Sequence, residues 1–271
     1  MTDLNPQKEQ MSDESMVRNL AAQANAIWPQ EVPLLRRLGL PDDIRILDAG
    51  TGTGEIASRL AELYPRSTVL GVDVLDHHLE LARGRFPNLA SRVTFENRSI
   101  FELGLPDRTF DLVTCRHVLH SIPFPDRVCT ELARVTKRGG WLHFIPEDYG
   151  MLHFERAKPD PLEFWYETAP RWSTETETDL FIGRHLYGVL AKLGFTGITM
   201  DYVVVDTLRV PRETFAGILT AWRDGYTAPV AERSRWSEAE VAAYFDRMIA
   251  NIRDPQQYAA WMVPVVQARV P

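Results

Sequence analysis

Three glycines at alternate positions, Gly50, Gly52 and Gly54, follow directly on the apolar run Ile46-Leu47-Asp48-Ala49. A helix-like segment, EIASRLAELY, comes straight after them. Glycine lets a chain turn that sharply and leaves bare backbone for a ligand to lie against. A strand, a glycine-rich turn and a helix N-terminus in this order form the nucleotide-binding corner of an open α/β sheet.

The flanking chain has the pattern such a sheet needs. Ile44–Ala49, Thr68–Val74, Arg92–Glu96, Phe110–Cys115 and the WLHFI segment after Gly139-Gly140 read as strands. Helical segments at Glu55–Tyr64, DHHLELARGRF and Asp126–Thr136 alternate with them. Buried strands alternating with helices predict a parallel sheet covered on both faces. After Pro146 the rhythm breaks into a stretch rich in aromatic, proline and acidic residues, read as an inserted cap. A helix ending near Gly194, a strand at Ile198–Asp206, helices near 212–226 and 237–252, and a last strand at Trp261–Val270 complete the chain. Pro264 inside that last strand predicts an edge position or a bulge. Ahead of the sheet, residues 1–15 read as mobile. A helix from Met16 to Trp28 is expected to stop at Pro29, and a second short helix leads to Pro41.

Composition narrows the class. With 45% hydrophobic residues in 271, a substantial core is affordable and disorder is excluded. The net charge of −7 argues against a nonspecific nucleic-acid binder. A polar N-terminus and the lack of a long apolar run give the expectation of a cytoplasmic protein with no membrane partner. Cys115 and Cys129 are too few for a disulfide framework or a four-cysteine zinc site, and Cys115 reads as a packing thiol.

The glycine pattern is G-x-G-x-G, whereas a dehydrogenase needs G-x-G-x-x-G. A Walker lysine and a Tyr-x-x-x-Lys pair are both absent from the sequence. Asp73, at the end of the second strand, suits both hydroxyls of a ribose. Four blocks then occur in order over residues 44–147. ILDAGTGTGEIASRLAE is similar to motif I of class I S-adenosylmethionine-dependent methyltransferases, and GVDV resembles the acidic end of their second strand. LPDRTFDLVTCRHVLHSI resembles their fourth-strand segment, and ELARVTKRGGWLHFIPE the helix, Gly-Gly and fifth strand of the small-molecule (type 11/25-like) branch.

The resemblance implies a seven-stranded, mostly parallel, doubly wound sheet with a Rossmann-like methyltransferase fold. Residues 1–40 would be an N-terminal helical lid, 41–150 the cofactor-binding core, 151–190 a helical, aromatic insertion after strand 5, and 191–271 the rest of the α/β domain. S-adenosyl-L-methionine would be the cofactor. Asp48, Gly50, Thr51, Gly52 and Gly54 would lie along its methionine part. Asp73 would take the ribose, and Val74 and Leu75 the adenine. Ser99 stands where the family usually has an aspartate facing the adenine amine, with Ile100 beside it. Arg116 and His117 would flank the methionine or methyl group.

Ligands bind outside the carboxyl ends of the strands in such sheets, which selects His117, His120, Glu147, Asp148, Tyr149 and His153 for chemistry. His120, His117 and Glu147 are the catalytic candidates, with His120 favoured as a base for a hydroxyl acceptor. His117-x-x-His120 lacks the further ligand spacing a metal requires, so no metal is expected. His77-His78 reads as solvated surface. The partner expected is a small-molecule acceptor methylated on oxygen, with nitrogen, sulfur or carbon left open; oligomeric state is also left open. A nucleic-acid methyltransferase is a weaker alternative, since an Asn-Pro-Pro-Tyr signature is absent; a catalytically silent cofactor-binding protein is another.

Overall fold

The computed structural model describes residues 4–271. The expectation of a mobile start covers residues 1–15. Of these, 1–3 lie outside the described residues, while 4–15 pack on the body, with Gln7 and Ser15 buried. They hold α1 (Lys8–Met11) and the beginning of α2 (Glu14–Arg36). Asp13 caps α2 by accepting the Ser15 N–H at 2.8 Å.

The two short helices expected at the N-terminus are one helix, running through Pro29 and Pro33. A proline in a helix interior removes a hydrogen bond and costs about 3 kcal/mol. Tertiary contacts beyond Pro29 offset this. Glu31 and Leu35 are fully buried. Gln30 bonds the Val204 backbone twice, donating from Nε2 at 2.9 Å and accepting at 3.2 Å.

Along the chain follow β1 (Arg45–Ala49), α3 (Glu55–Leu63), β2 (Thr68–Asp73), α4 (Asp76–Arg85), β3 (Val93–Asn97), β4 (Phe110–Arg116), α5 (Pro125–Val135) and β5 (Thr136–Ile145). Then come the two-residue β6 (Leu152–His153), α6 (Pro161–Thr176), α7 (Ile182–Lys192), β7 (Thr196–Asp206), α8 (Arg212–Glu232), α9 (Glu238–Arg253) and β8 (Ala260–Arg269). They build one sheet in the order β3-β2-β1-β4-β5-β8-β6, with β7 on β8. β1 to β5 pair in parallel, and β8 runs antiparallel to its neighbours. The expected mostly parallel sheet is therefore present, with seven full strands and the short β6 among the described residues.

Register explains the apolar strands. Ile46 pairs with Leu112, and both point into a core shared with α2 and α3. Their neighbours Leu47 and Val113 point into the opposite core, with α5 and α7. Both faces are covered, so both alternating sets are apolar. Cys115 and Cys129 are buried free thiols in the second core.

Pro264 pairs with Tyr202 on β7 without a bulge, in the stretch of β8 that has a strand on one side only, so the expected edge position is met locally within an otherwise central strand. β5 pairs with β8 only over Val266–Arg269, and β6 only over Ala260–Trp261. The missing N–H is tolerated because that side of β8 has no ladder partner at residue 264. The chain between β5 and β6 crosses this gap, and it carries Glu147, Asp148 and Tyr149.

Candidate functional site

The three glycines sit in left-handed backbone, at φ +75°, +52° and +78° for Gly50, Gly52 and Gly54. A Cβ on Gly50 would fall 2.3 Å from Val118, and one on Gly52 would fall 2.8 Å from Leu20 of α2. Gly54 differs: its Cβ would meet Phe95 and Ala82, so its bareness serves helix packing, away from the cleft.

Two carboxylates, Asp48 buried and Asp73 part-buried, hold the turn. Asp48 accepts from the hydroxyls of Thr51 and Thr114, each at 2.7 Å. Asp73 accepts the Gly52 N–H at 2.8 Å and the Leu75 N–H at 3.0 Å. Burial pushes both carboxyls above their ordinary values, against the pull of these donors. The cleft over the turn is lined by Gly50, Gly52, Asp73, Val74, Leu75, Ser99, Ile100, Arg116 and His117. Leu4, Asn5, Met11 and Leu20 of the N-terminal segment close its other side. A smaller adjoining cavity reaches Asp48, Thr51, Gln23, Arg116 and His117. The structure thus gathers nearly all of the residues expected around a cofactor, Gly54 excepted. His78 also lines the cleft and is 1% exposed, which corrects the surface reading. It lies one position past His77, on the inward side of α4, and burial lowers its pKa to about 4.

At the far end of the cleft, β4 delivers Arg116 and His117. His117 adopts φ +54°, an uncommon conformation for a residue with a side chain. Its backbone N–H still reaches Ile145 at 2.8 Å, so the β4–β5 ladder fixes the turn. His117 Nδ1 lies 2.8 Å from Glu147 Oε1. Burial pushes the Glu147 carboxyl up, but His120 and the His117 hydrogen bond outweigh it and bring the pKa down to about 2. An ionised carboxylate only accepts, so His117 Nδ1 is the donor and a neutral ring keeps a lone pair at Nε2. That Nε2 is buried without a hydrogen-bond partner among the described residues. His120 Nε2 stands 3.8 Å from Glu147 Oε2. Burial lowers its pKa and the Glu147 charge partly restores it.

Two other candidates are used elsewhere. Asp148 receives the Arg184 guanidinium through two contacts of 2.6 Å and caps the turn at Gly150. Arg184 is therefore paired with Asp148. His153 is exposed.

Several site residues were not foreseen. Ser15, Asn19, Gln23 and Glu31 recur at multiples of four on α2, and all are buried. Residues four apart are neighbours on a helix surface, so the set forms a polar stripe that winds around α2. That repeat was the available signal, and it was masked by the apolar Val17, Leu20, Ala21, Ala24, Ile27 and Trp28 beside it. Glu31 Oε2 pairs with Arg116 Nη2 at 3.0 Å, and Glu31 Oε1 meets His143 Nε2 at 2.9 Å. Gln267 Nε2 donates to the Leu34 carbonyl at 3.2 Å, which orients its amide, and it reaches His143 Nδ1 at 3.0 Å. His143 accepts there and donates from Nε2 to Glu31. Burial pushes the Glu31 carboxyl up, but Arg116 and His143 hold it below its ordinary value. Arg116 Nε keeps no hydrogen-bond partner among the described residues.

Beyond His120 the wall becomes aromatic. The Tyr149 ring lies 5.8 Å from His120 on one side, and 5.2 and 5.6 Å from Trp165 and Trp222 on the other. Behind it a second cavity opens between α6, α8 and α9. Among the described residues, no cluster of three or more His, Cys, Asp or Glu side chains is arranged to hold a metal ion. No helix there is long and apolar enough to cross a membrane.

Residues 40–159 match a family model described as a methyltransferase domain. Demethylmenaquinone methyltransferase of Deinococcus radiodurans is 32% identical over 124 residues, covering 42% of this chain and 52% of that protein. Phosphatidylethanolamine N-methyltransferase of Cereibacter sphaeroides is 35% identical over 116 residues, covering 42% and 53%. The chain thus spans about half the length of these relatives. Among solved structures, Haemonchus contortus phosphoethanolamine N-methyltransferase 2, in complex with S-adenosyl-L-methionine, aligns with a TM-score of 0.63 at 18% identity. That alignment covers 100% of this chain and 60% of the other, and it shows a shared fold.

Proposed function

We propose that this chain, whose residues 40–159 match a methyltransferase-domain model, transfers a methyl group from S-adenosylmethionine to a small organic acceptor, with a hydroxyl as the acceptor group. The observation that carries the reading is the Glu147–His117 pair at the end of a cleft floored by bare glycine backbone. The residues present suit the cofactor. Gly50 and Gly52 leave no room for a Cβ, and Arg116 has an unmet, buried donor.

Asp73 would take the ribose hydroxyls, Val74, Leu75, Ser99 and Ile100 would surround the adenine, and Gly50, Thr51 and Gly52 would flank the methionine part. Asp48 acts indirectly, by fixing the turn through Thr51 and Thr114. The Arg116 guanidinium faces the methionine end and would meet its carboxylate. When bound, the cofactor supplies a methyl group activated by its positive sulfur. The protein's own task is alignment, exclusion of water and removal of a proton.

His117 is better placed than His120 for that last task. Glu147 orients it by hydrogen bond and stays ionised to stabilise the imidazolium, while Nε2 remains free. His120 stands further from the carboxylate, at 3.8 Å, and its ring meets Tyr149.

Calorimetry with S-adenosylhomocysteine and with NAD tests the cofactor, and transfer of a labelled methyl group to a panel of phenols, amines, thiols and carbon acids tests the acceptor. Stabilisation by NAD alone would sink the cofactor reading. Labelling confined to amines, thiols or carbon acids would sink the hydroxyl.

A further inference from the structure

The second cavity carries information about what fills it. Its lining includes Gln7, Tyr149, Trp165, Trp172, Trp222 and Tyr226. Phe164, Trp165 and Phe245 stack edge to face behind it, so the wall is a packed, pre-formed aromatic surface. Three polar atoms of the lining are buried with no hydrogen-bond partner among the described residues: Trp165 Nε1, Trp172 Nε1 and Gln7 Nε2. Their residues are 8%, 5% and 2% exposed. Such groups are normally paired, because an unpaired buried donor carries an uncompensated desolvation cost. Gln7 Oε1 already accepts from the Tyr226 hydroxyl at 3.1 Å.

All three unmet groups are donors. The occupant that completes them must bring acceptor oxygens. An ammonium compound, otherwise suited to an aromatic cage, brings donors or no hydrogen-bonding group and leaves all three unmet. Arg233 moreover already lies over the Trp172 ring at 4.9 Å. The walls demand a flat apolar body. The cavity ends at Tyr149, whose other side meets His120 beside Glu147.

We infer that this cavity is the acceptor chamber, and that it takes a planar aromatic compound bearing ring oxygens, a hydroxyl to be modified and at least one further oxygen held by Trp165, Trp172 and Gln7. The inference rests on the methyl-transfer reading for what happens to the compound, but the binding itself can be measured without cofactor. The test is calorimetry of the full chain with three probes: 2-hydroxy-1,4-naphthoquinone, naphthalene and benzyltrimethylammonium. The oxygen-bearing ring should bind at least about tenfold tighter than either of the others, the scale of one hydrogen bond. Trp165→Phe and Trp172→Phe keep the ring and delete the N–H. Each should weaken the naphthoquinone by about tenfold, leave naphthalene unchanged and leave S-adenosylhomocysteine affinity unchanged.

Tighter binding of the ammonium probe, equal binding by both phenylalanine variants, or no saturable heat from the naphthoquinone would each overturn the chamber. Loss of S-adenosylhomocysteine binding by the parent chain would instead overturn the reading of function and leave the chamber standing.

Discussion

The cleft over β1 and β2 and the chamber behind Tyr149 are built by opposite means. The cleft is made of backbone. Gly50, Gly52 and the N–H groups received by Asp73 lie within one strand-turn-helix unit and its parallel neighbour. The chamber is made of side chains that meet from α1's flank, the β5–β6 connection, α6 and α8. A site of the first kind tolerates no added atom at a few positions. A site of the second kind depends on many packed rings, and no single position defines it. The helix α2 links the two: it lays Leu20 on Gly52, Gln23 near Glu147 and Glu31 on Arg116, and it packs on α8, which lines the chamber.

The largest expected effect falls on that joint. Glu31→Ala leaves Arg116 buried without its counter-charge, which costs roughly 3–5 kcal/mol when one partner of a buried pair is removed. Thermal unfolding should shift down by on the order of 10 °C, and an unchanged Tm would detach α2 from the stability of the site.

Next comes the backbone half. Gly52→Val places side-chain atoms where Leu20 already stands, on a backbone at φ +52°. S-adenosylhomocysteine affinity should fall by about 100-fold or more, roughly 2.7 kcal/mol, while binding of a flat aromatic in the chamber persists. Calorimetry with both ligands on one variant would show whether the two regions are separable.

Between the two lies Glu147. Glu147→Gln should reduce kcat by about ten- to a hundredfold with cofactor affinity kept. The sign of its pH effect follows from charge. Glu147 holds the His120 imidazole up against the lowering effect of burial, so loss of its charge moves the acid limb of kcat/KM to lower pH. A pH–rate profile with an unmoved acid limb would remove Glu147 from the proton path.

The smallest effect at neutral pH is at His78, under the cleft. Its folded pKa of about 4 lies below the ordinary 6.5. The unfolded chain therefore binds a proton more readily. The stability this contributes is complete above pH 6.5 and is lost as the pH falls toward 4. His78→Gln should flatten Tm against pH over that window, and a parallel decline in variant and parent would assign the acid sensitivity to other groups.

Much of the cleft was legible because its determinants are short in range. The β1 turn needs glycine for its left-handed φ values, and Asp73 is set by the end of its own strand; both are visible within a few residues. Proline at 29 misled because local propensity was outweighed by burial of Glu31 and Leu35 further along the same helix. His78 misled because one step of helix rotation separates it from exposed His77. The four-residue polar repeat on α2 was present in the sequence, but nothing local says whether a polar face looks to water or into a charged interior.

The alternation of strands and helices, the glycine turn and the two-sided apolar strands follow from local geometry, and they dictate the sheet and its cofactor corner in advance. The pairing of Glu31 with Arg116 and His143, the choice of His117 over His120 as the ring held by Glu147, and the meeting of Gln7, Trp165, Trp172 and Tyr226 around one cavity depend on contacts between residues far apart in the chain. Such contacts carry no periodicity and no spacing rule, so they exist only once the core has brought their backbones together.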